Sequence, residues 1–210
     1  MAYPTVSAPY GFRPVNRQDG MPYAGATTQY PITSVSTAIY NGDLVNITTG
    51  GVVKSTVTDT SAITVANQAN VTAGVFMGCQ YVNTQGQTVQ AQYYPGNAAA
   101  SSAIAYVVVD PNAAYKVAVT ASGSNVITGT TVNAIGVNCA VRQGTGSTIT
   151  GDSQLSVVAP SSGLGNASTL PVKVIGVVPA TASNATNYTE VIVVLTNPQM
   201  TAAAGSVNFA

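Results

Sequence analysis

The chain has 210 residues, of which six are basic and six acidic, with no histidine and a formal net charge of zero. Soluble domains ordinarily carry about a quarter charged residues, so a compact monomer exposing roughly 9,000 Å² must cover itself with Ser, Thr, Asn, Gln and Tyr, or with another protein. Near-zero net charge favours association, the cations form no basic stripe for nucleic acid, and the scattered acids form no carboxylate cage for a metal.

At the N-terminus, Met1, Ala2, Tyr3 and Pro4 show neither the basic nor the apolar region of a secretory signal, which predicts a soluble chain made in a cytoplasm. Residues 1–30 are broken by proline and lack periodicity. Within them the stretch APYGFRPVNRQDG (8–20) concentrates Tyr10, Phe12, Arg13, Arg17 and Asp19 between and beyond Pro9 and Pro14. Disordered tails are poor in aromatics, so this segment reads as an extended arm that docks on something.

From residue 31 the pattern is that of strands. Helix formers are scarce, whereas Val, Ile, Thr and Tyr recur between Gly and Pro. Asn41 and Gly42 stand between TAIY and DLVNI, and Asn-Gly is the strongest two-residue hairpin signal, so strands are expected at 38–40 and 43–47. Gly50 and Gly51 turn the chain into 52–57. A weak strand follows at 61–65. Residues 74–82 read as a central strand in which Gly78 signals a bulge or a close backbone approach, and 87–94 alternate as a half-buried strand does. Further strands are expected at 103–109, 115–120, 135–141, 148–151, 154–158, 173–178 and 190–195. The Ser, Thr, Asn and Gly-rich segments 121–134, 159–171 and 180–189 read as loops. About a dozen short strands predict an all-β, antiparallel barrel or sandwich, with an arm at 1–30, a body at 31–198 and a small-residue tail at 199–210. The longest apolar runs, 104–109 and 191–195, are far below the roughly 20 residues of a membrane helix.

The absence of histidine removes the commonest general base and the Ser-His and Cys-His dyads. The QGTGST stretch (143–148) has no Walker lysine and no dinucleotide fingerprint. A carboxylate pair would need two of six isolated acids to converge. We therefore expect no enzymatic activity, no cofactor and no metal site. Cys79 and Cys139 sit in apolar contexts as either buried thiols or a structural disulfide. Five Asn-x-Ser/Thr sequons match chance in so Asn- and Thr-rich a chain.

Several pieces together resemble a group of small virion proteins of tailed phages, especially aquatic ones. They are APYGFRPV (8–15), YNGDLV (40–45), GVFMGCQYVNTQG (74–86), YYPG (93–96), AYVVVDPNAAYKV (105–117), and the closing LPVKVIGVV and TEVIVVLTN. The resemblance spans nearly the whole chain and implies a capsid decoration, or cement, protein on the outside of an icosahedral head. Its partners would be the major capsid protein and copies of itself as a homotrimer, with no nucleic acid and no membrane. Tyr10 and Phe12 would then be apolar anchors of the arm, and Arg13 and Arg17 its directional hydrogen-bond donors. Unlike that group, this chain carries Ser, Thr and Asn where acids are usual, which argues against attachment by salt bridges outside the arm. A head-fibre or tail-associated module that binds a host receptor or glycan is the second reading.

Overall fold

The computed structural model describes residues 6–33, 37–55, 72–96, 102–120, 135–158, 170–181, 188–196 and 198–199. The expected strand at 61–65, the loop at 121–134, most of 159–171 and 180–189, and the tail beyond residue 199 lie outside them. The chain is all-β. Twelve strands run in order: β1 (Arg13–Arg17), β2 (Thr28–Pro31), β3 (Leu44–Thr48), β4 (Gly51–Lys54), β5 (Gly74–Val82), β6 (Thr88–Ala91), β7 (Ile104–Val108), β8 (Ala113–Thr120), β9 (Asn138–Arg142), β10 (Ser156–Val158), β11 (Val172–Val177) and β12 (Glu190–Leu195). A 3-10 turn, Pro179–Thr181, follows β11.

Strands β8, β10, β9, β11 and β12 are neighbours in that order, and β12 returns to β8, so five strands close into a barrel. So narrow a lumen is filled with side chains. Period-2 alternation decides which residues enter it: Ala113, Tyr115, Val117 and Val119 from β8, Cys139 and Val141 from β9, Val172 and Val174 from β11, and Val191, Val193 and Leu195 from β12. One pairing departs from the expected antiparallel order. β10 runs parallel to the end of β8, Val157 and Val158 lying beside Val119 and Thr120.

The second sheet has the order β2-β7-β5-β3-β4, with β6 beside the far half of β5. It curls until its two ends meet at a parallel bridge between Ile32 and Val52. Its core holds Ile32, Ile39, Val45, Val52, Phe76, Cys79, Tyr94, Ala105 and Val107. Leu44, Val75 and Val108 lie instead in the barrel cluster, so the second sheet packs residues into the barrel's core while keeping a cluster of its own. As the sequence predicts, β5 bulges at Gly78, where φ is +151° and the register shifts between Phe76 and Gly78. Cys79 and Cys139 are free and buried. Burial pushes their thiols up to about 12 and about 11 respectively.

Three expectations change. Residues 38–40 form no strand beside β3; Ile39 bridges Tyr94 instead. Residues 148–150 are a turn, closed by a 2.8 Å bond from the Gly151 N–H to the Ser147 carbonyl. The region expected as an arm contains β1 and β2, which pair with β8 and β7. The reason for β1 is geometric: β10 covers only the end of β8, leaving the edge at Ala113–Lys116 open for β1. Pro14, which has no N–H, is tolerated because β1 is itself an edge strand. Val15 is bulged out of register between Pro14 and Asn16.

Candidate functional site

The four residues expected to grip a partner are all held by the chain's own body. Phe12 is fully buried in the barrel cluster, its ring edge-on to Tyr115 at 6.0 Å between centroids. The Tyr10 hydroxyl donates to the Glu190 carboxylate, and the Lys116 ammonium sits 5.7 Å from the Tyr10 ring centre and 3.1 Å from Glu190 Oε1. Burial first, and the acceptor Glu190 second, push the Tyr10 phenol well above its ordinary pKa. The Arg13 guanidinium is split between the Asn41 side-chain oxygen and the Asp152 carboxylate. Arg17 lies between Asp110, 3.0 Å from its Nε, and Asp19 at 3.5 Å. From residue 10 to residue 17 the segment is thus packed on the chain's own body. An uncharged aromatic and a paired guanidinium gain more from the barrel's open edge than from water.

The segment docks at a polar seam joining the two sheets. Its centre is the Tyr40–Asp43 turn, closed by a 2.9 Å bond from the Asp43 N–H to the Tyr40 carbonyl. The Asn-Gly signal thus finds a turn, but one buried between sheets instead of at a hairpin tip. Gly11 and Gly42 face each other there, with φ of +79° and +91°. A Cβ on Gly11 would lie 2.8 Å from the Gly42 carbonyl oxygen, and one on Gly42 would lie 2.9 Å from the Phe12 nitrogen. Only glycine permits both the backbone conformation and the approach. The Phe12 N–H then donates to the Gly42 carbonyl at 3.0 Å, and the Gly11 N–H to the Leu155 carbonyl at 3.2 Å.

Beneath this contact lies Asp43, fully buried. Its carboxylate accepts from the Tyr40 N–H at 2.9 Å, the Ser153 hydroxyl at 2.5 Å and the Gln143 amide at 3.3 Å, and pairs with Lys54 Nζ at 2.9 Å. Lys54 also lies 5.5 Å from the centre of the Tyr40 ring, which stacks on Tyr93. Four donors around one carboxylate replace its hydration, which a buried charge requires. Sequence reading missed this centre. An acid after Asn-Gly reads as an exposed turn residue, and Gln143 and Ser153 stand 100 and 110 positions away.

All five acids among the described residues, Asp19, Asp43, Asp110, Asp152 and Glu190, are used in such internal ion pairs. No group of three His, Cys, Asp or Glu side chains converges among the described residues, and no helix there is long and apolar enough to cross a membrane. Large apolar side chains also face solvent. Ile149, at the tip of the 148–150 turn, is 95% exposed, and Met21, Ile135 and Ile175 are also exposed. No family model, curated protein or solved structure matches this chain.

Proposed function

We propose that this chain is a non-enzymatic structural protein of a tailed-phage virion that binds the outer face of an icosahedral head and stabilises the shell. The observation that carries this reading is the pairing of charge within the chain. With each described acid ion-paired within the chain, the surface has few uncompensated charges to repel a neutral partner and several uncovered apolar side chains to bury against it. The whole-chain resemblance supplies the identity of that partner, the major capsid protein, and of the further partners, copies of this chain in a homotrimer. Mechanistically, attachment is burial of apolar and uncharged polar surface, multiplied by many copies on one particle.

The internal bonds of Tyr10, Arg13 and Arg17 shift the contact away from the 10–17 segment. Segment 10–17 holds the body together, and the exposed 148–150 turn, with Ile149 at its tip, is the natural apolar contact. Purified protein should co-sediment saturably with emptied heads, at hundreds of copies per particle, and Ile149→Glu should weaken that binding about tenfold or more while leaving the melting temperature unchanged. Absence of the chain from purified virions, or a handful of copies each, would reject the reading.

A further inference from the structure

Strand edges are where β proteins meet other chains, and native folds guard them with charge, proline or cover. In the barrel, the stretch of β8 that β10 leaves uncovered, Ala113–Lys116, is covered by β1. β1 is guarded by Arg13, Pro14 and Arg17, and its outer side is covered by the following turn, with the Arg17 N–H bonded to the Met21 carbonyl at 2.8 Å. β2 ends at Pro31 and approaches β4 through the Ile32–Val52 bridge. β6, Thr88–Ala91, has no charge, no proline and no bulge.

The phase of its ladder follows from the hairpin that leads into it. The Asn83 N–H donates to the Gln87 carbonyl at 2.9 Å, and the pairs Val82–Thr88, Tyr81–Val89, Gln80–Gln90 and Cys79–Ala91 follow. Antiparallel pairs alternate between bonded and non-bonded, so Val89 and Ala91 direct their backbone groups at β5. Thr88 and Gln90 direct theirs away from the sheet, and among the described residues nothing bonds to those outward groups. Thr88 and Gln90 are exposed and Val89 is half-buried, on the face that also carries Tyr81 and Ala91.

We propose that β6 is a self-association edge, pairing antiparallel with β6 of a second copy about a two-fold axis at Val89. A two-fold contact sets identical residues against each other, which a charged strand could not tolerate and this neutral one can. With Val89 opposite its own copy, Thr88 pairs with Gln90 of the other strand and the reverse, so every outward N–H and C=O of these two residues is satisfied within β6 itself. The facing valines continue the apolar face of Tyr81 and Ala91 across the axis. Two strands this short bury less than the roughly 1,000 Å² that a stable interface clears, so the contact is concentration-dependent and strengthens where many copies are held together. It does not depend on what the protein decorates.

Val89→Cys in the full chain should form a reducible dimer under mild oxidation, because directly opposed non-bonded residues lie about 4.5 Å apart between Cα atoms. Gln87→Cys, whose opposite residue would be Ala91 of the other copy, should cross-link at least tenfold more slowly. The two native thiols are buried and should not compete. In sedimentation equilibrium at high concentration, Val89→Lys, with an unchanged melting temperature, should halve the mass of the largest species. Cross-linking of Val89→Cys no faster than that of Gln87→Cys would overturn the proposal, as would an unchanged mass distribution for Val89→Lys. Loss of head binding by Val89→Lys at unchanged mass would assign β6 to the shell protein and overturn self-association equally.

Discussion

The barrel lumen and the seam that joins the barrel to the second sheet are both closed to water, yet opposite chemistry holds them. The lumen is filled by Val, Ala, Leu, Cys and two aromatic rings, and the Tyr115 hydroxyl within it has no hydrogen-bond partner. The seam packs a buried carboxylate, an ammonium and two facing glycines, with each donor and acceptor of Asp43 assigned. The lumen is stabilised by volume and area, so it is sensitive to lost methylenes and indifferent to a lost hydroxyl. Seam stability rests on specific pairings, so removing one partner leaves another group stranded.

The largest effect should come from Phe12, which belongs to both regions: its ring is in the lumen and its N–H in the seam. Phe12→Ala should cost about 3–5 kcal/mol, roughly a 6–20 °C fall in melting temperature for a chain of this size. For the same reason, deleting residues 1–20 should unfold the body instead of releasing a dispensable arm, which circular dichroism would show directly.

Asp43→Ala should cost about 3–5 kcal/mol, because Lys54 is left buried and uncompensated. Adding Lys54→Met should restore only part of that loss in a urea double-mutant cycle. The Tyr40 N–H and the Ser153 hydroxyl remain without their acceptor.

The two cysteines extend the comparison to alkaline pH. The folded Cys79 thiol keeps its proton to about pH 12, whereas an unfolded thiol releases it near 9.0. Between those values the unfolded state binds fewer protons, so stability, intact below pH 9, falls as pH rises through the window. Cys139, pushed up to about 11, acts in the same direction, and buried Tyr10 and Tyr115, also raised, add to the fall above pH 10. Thermal melts from pH 8 to 11 should show a progressive drop, smaller at its onset in a Cys79→Ala, Cys139→Ala variant.

Arg17→Ala should cost less than about 1 kcal/mol and respond to salt, because its ion pairs with Asp19 and Asp110 are partly solvated. The smallest change is expected from Tyr115→Phe, which removes an unpartnered hydroxyl from an apolar lumen and should leave the melting temperature equal or slightly higher. A large loss there would show that the lumen depends on a polar contact and would erase the contrast with the seam.

The sequence by itself determined what local periodicity can encode. Strand-sized apolar stretches placed β5 at residues 74–82 and β12 at 190–195, the scarcity of helix formers fixed the all-β class, Gly78 announced its bulge, and Asn41–Gly42 announced a turn. Only the tertiary structure decided what those pieces do together. That β12 returns to β8 to close a barrel, that Asp43 is buried under donors about a hundred positions away, and that Phe12 and Arg13 complete the body instead of reaching outward all depend on which distant edges and cavities lie open. A strand's own residues record which face is apolar. They do not record which edge will be vacant, because β10 leaves the start of β8 uncovered only once the barrel has closed.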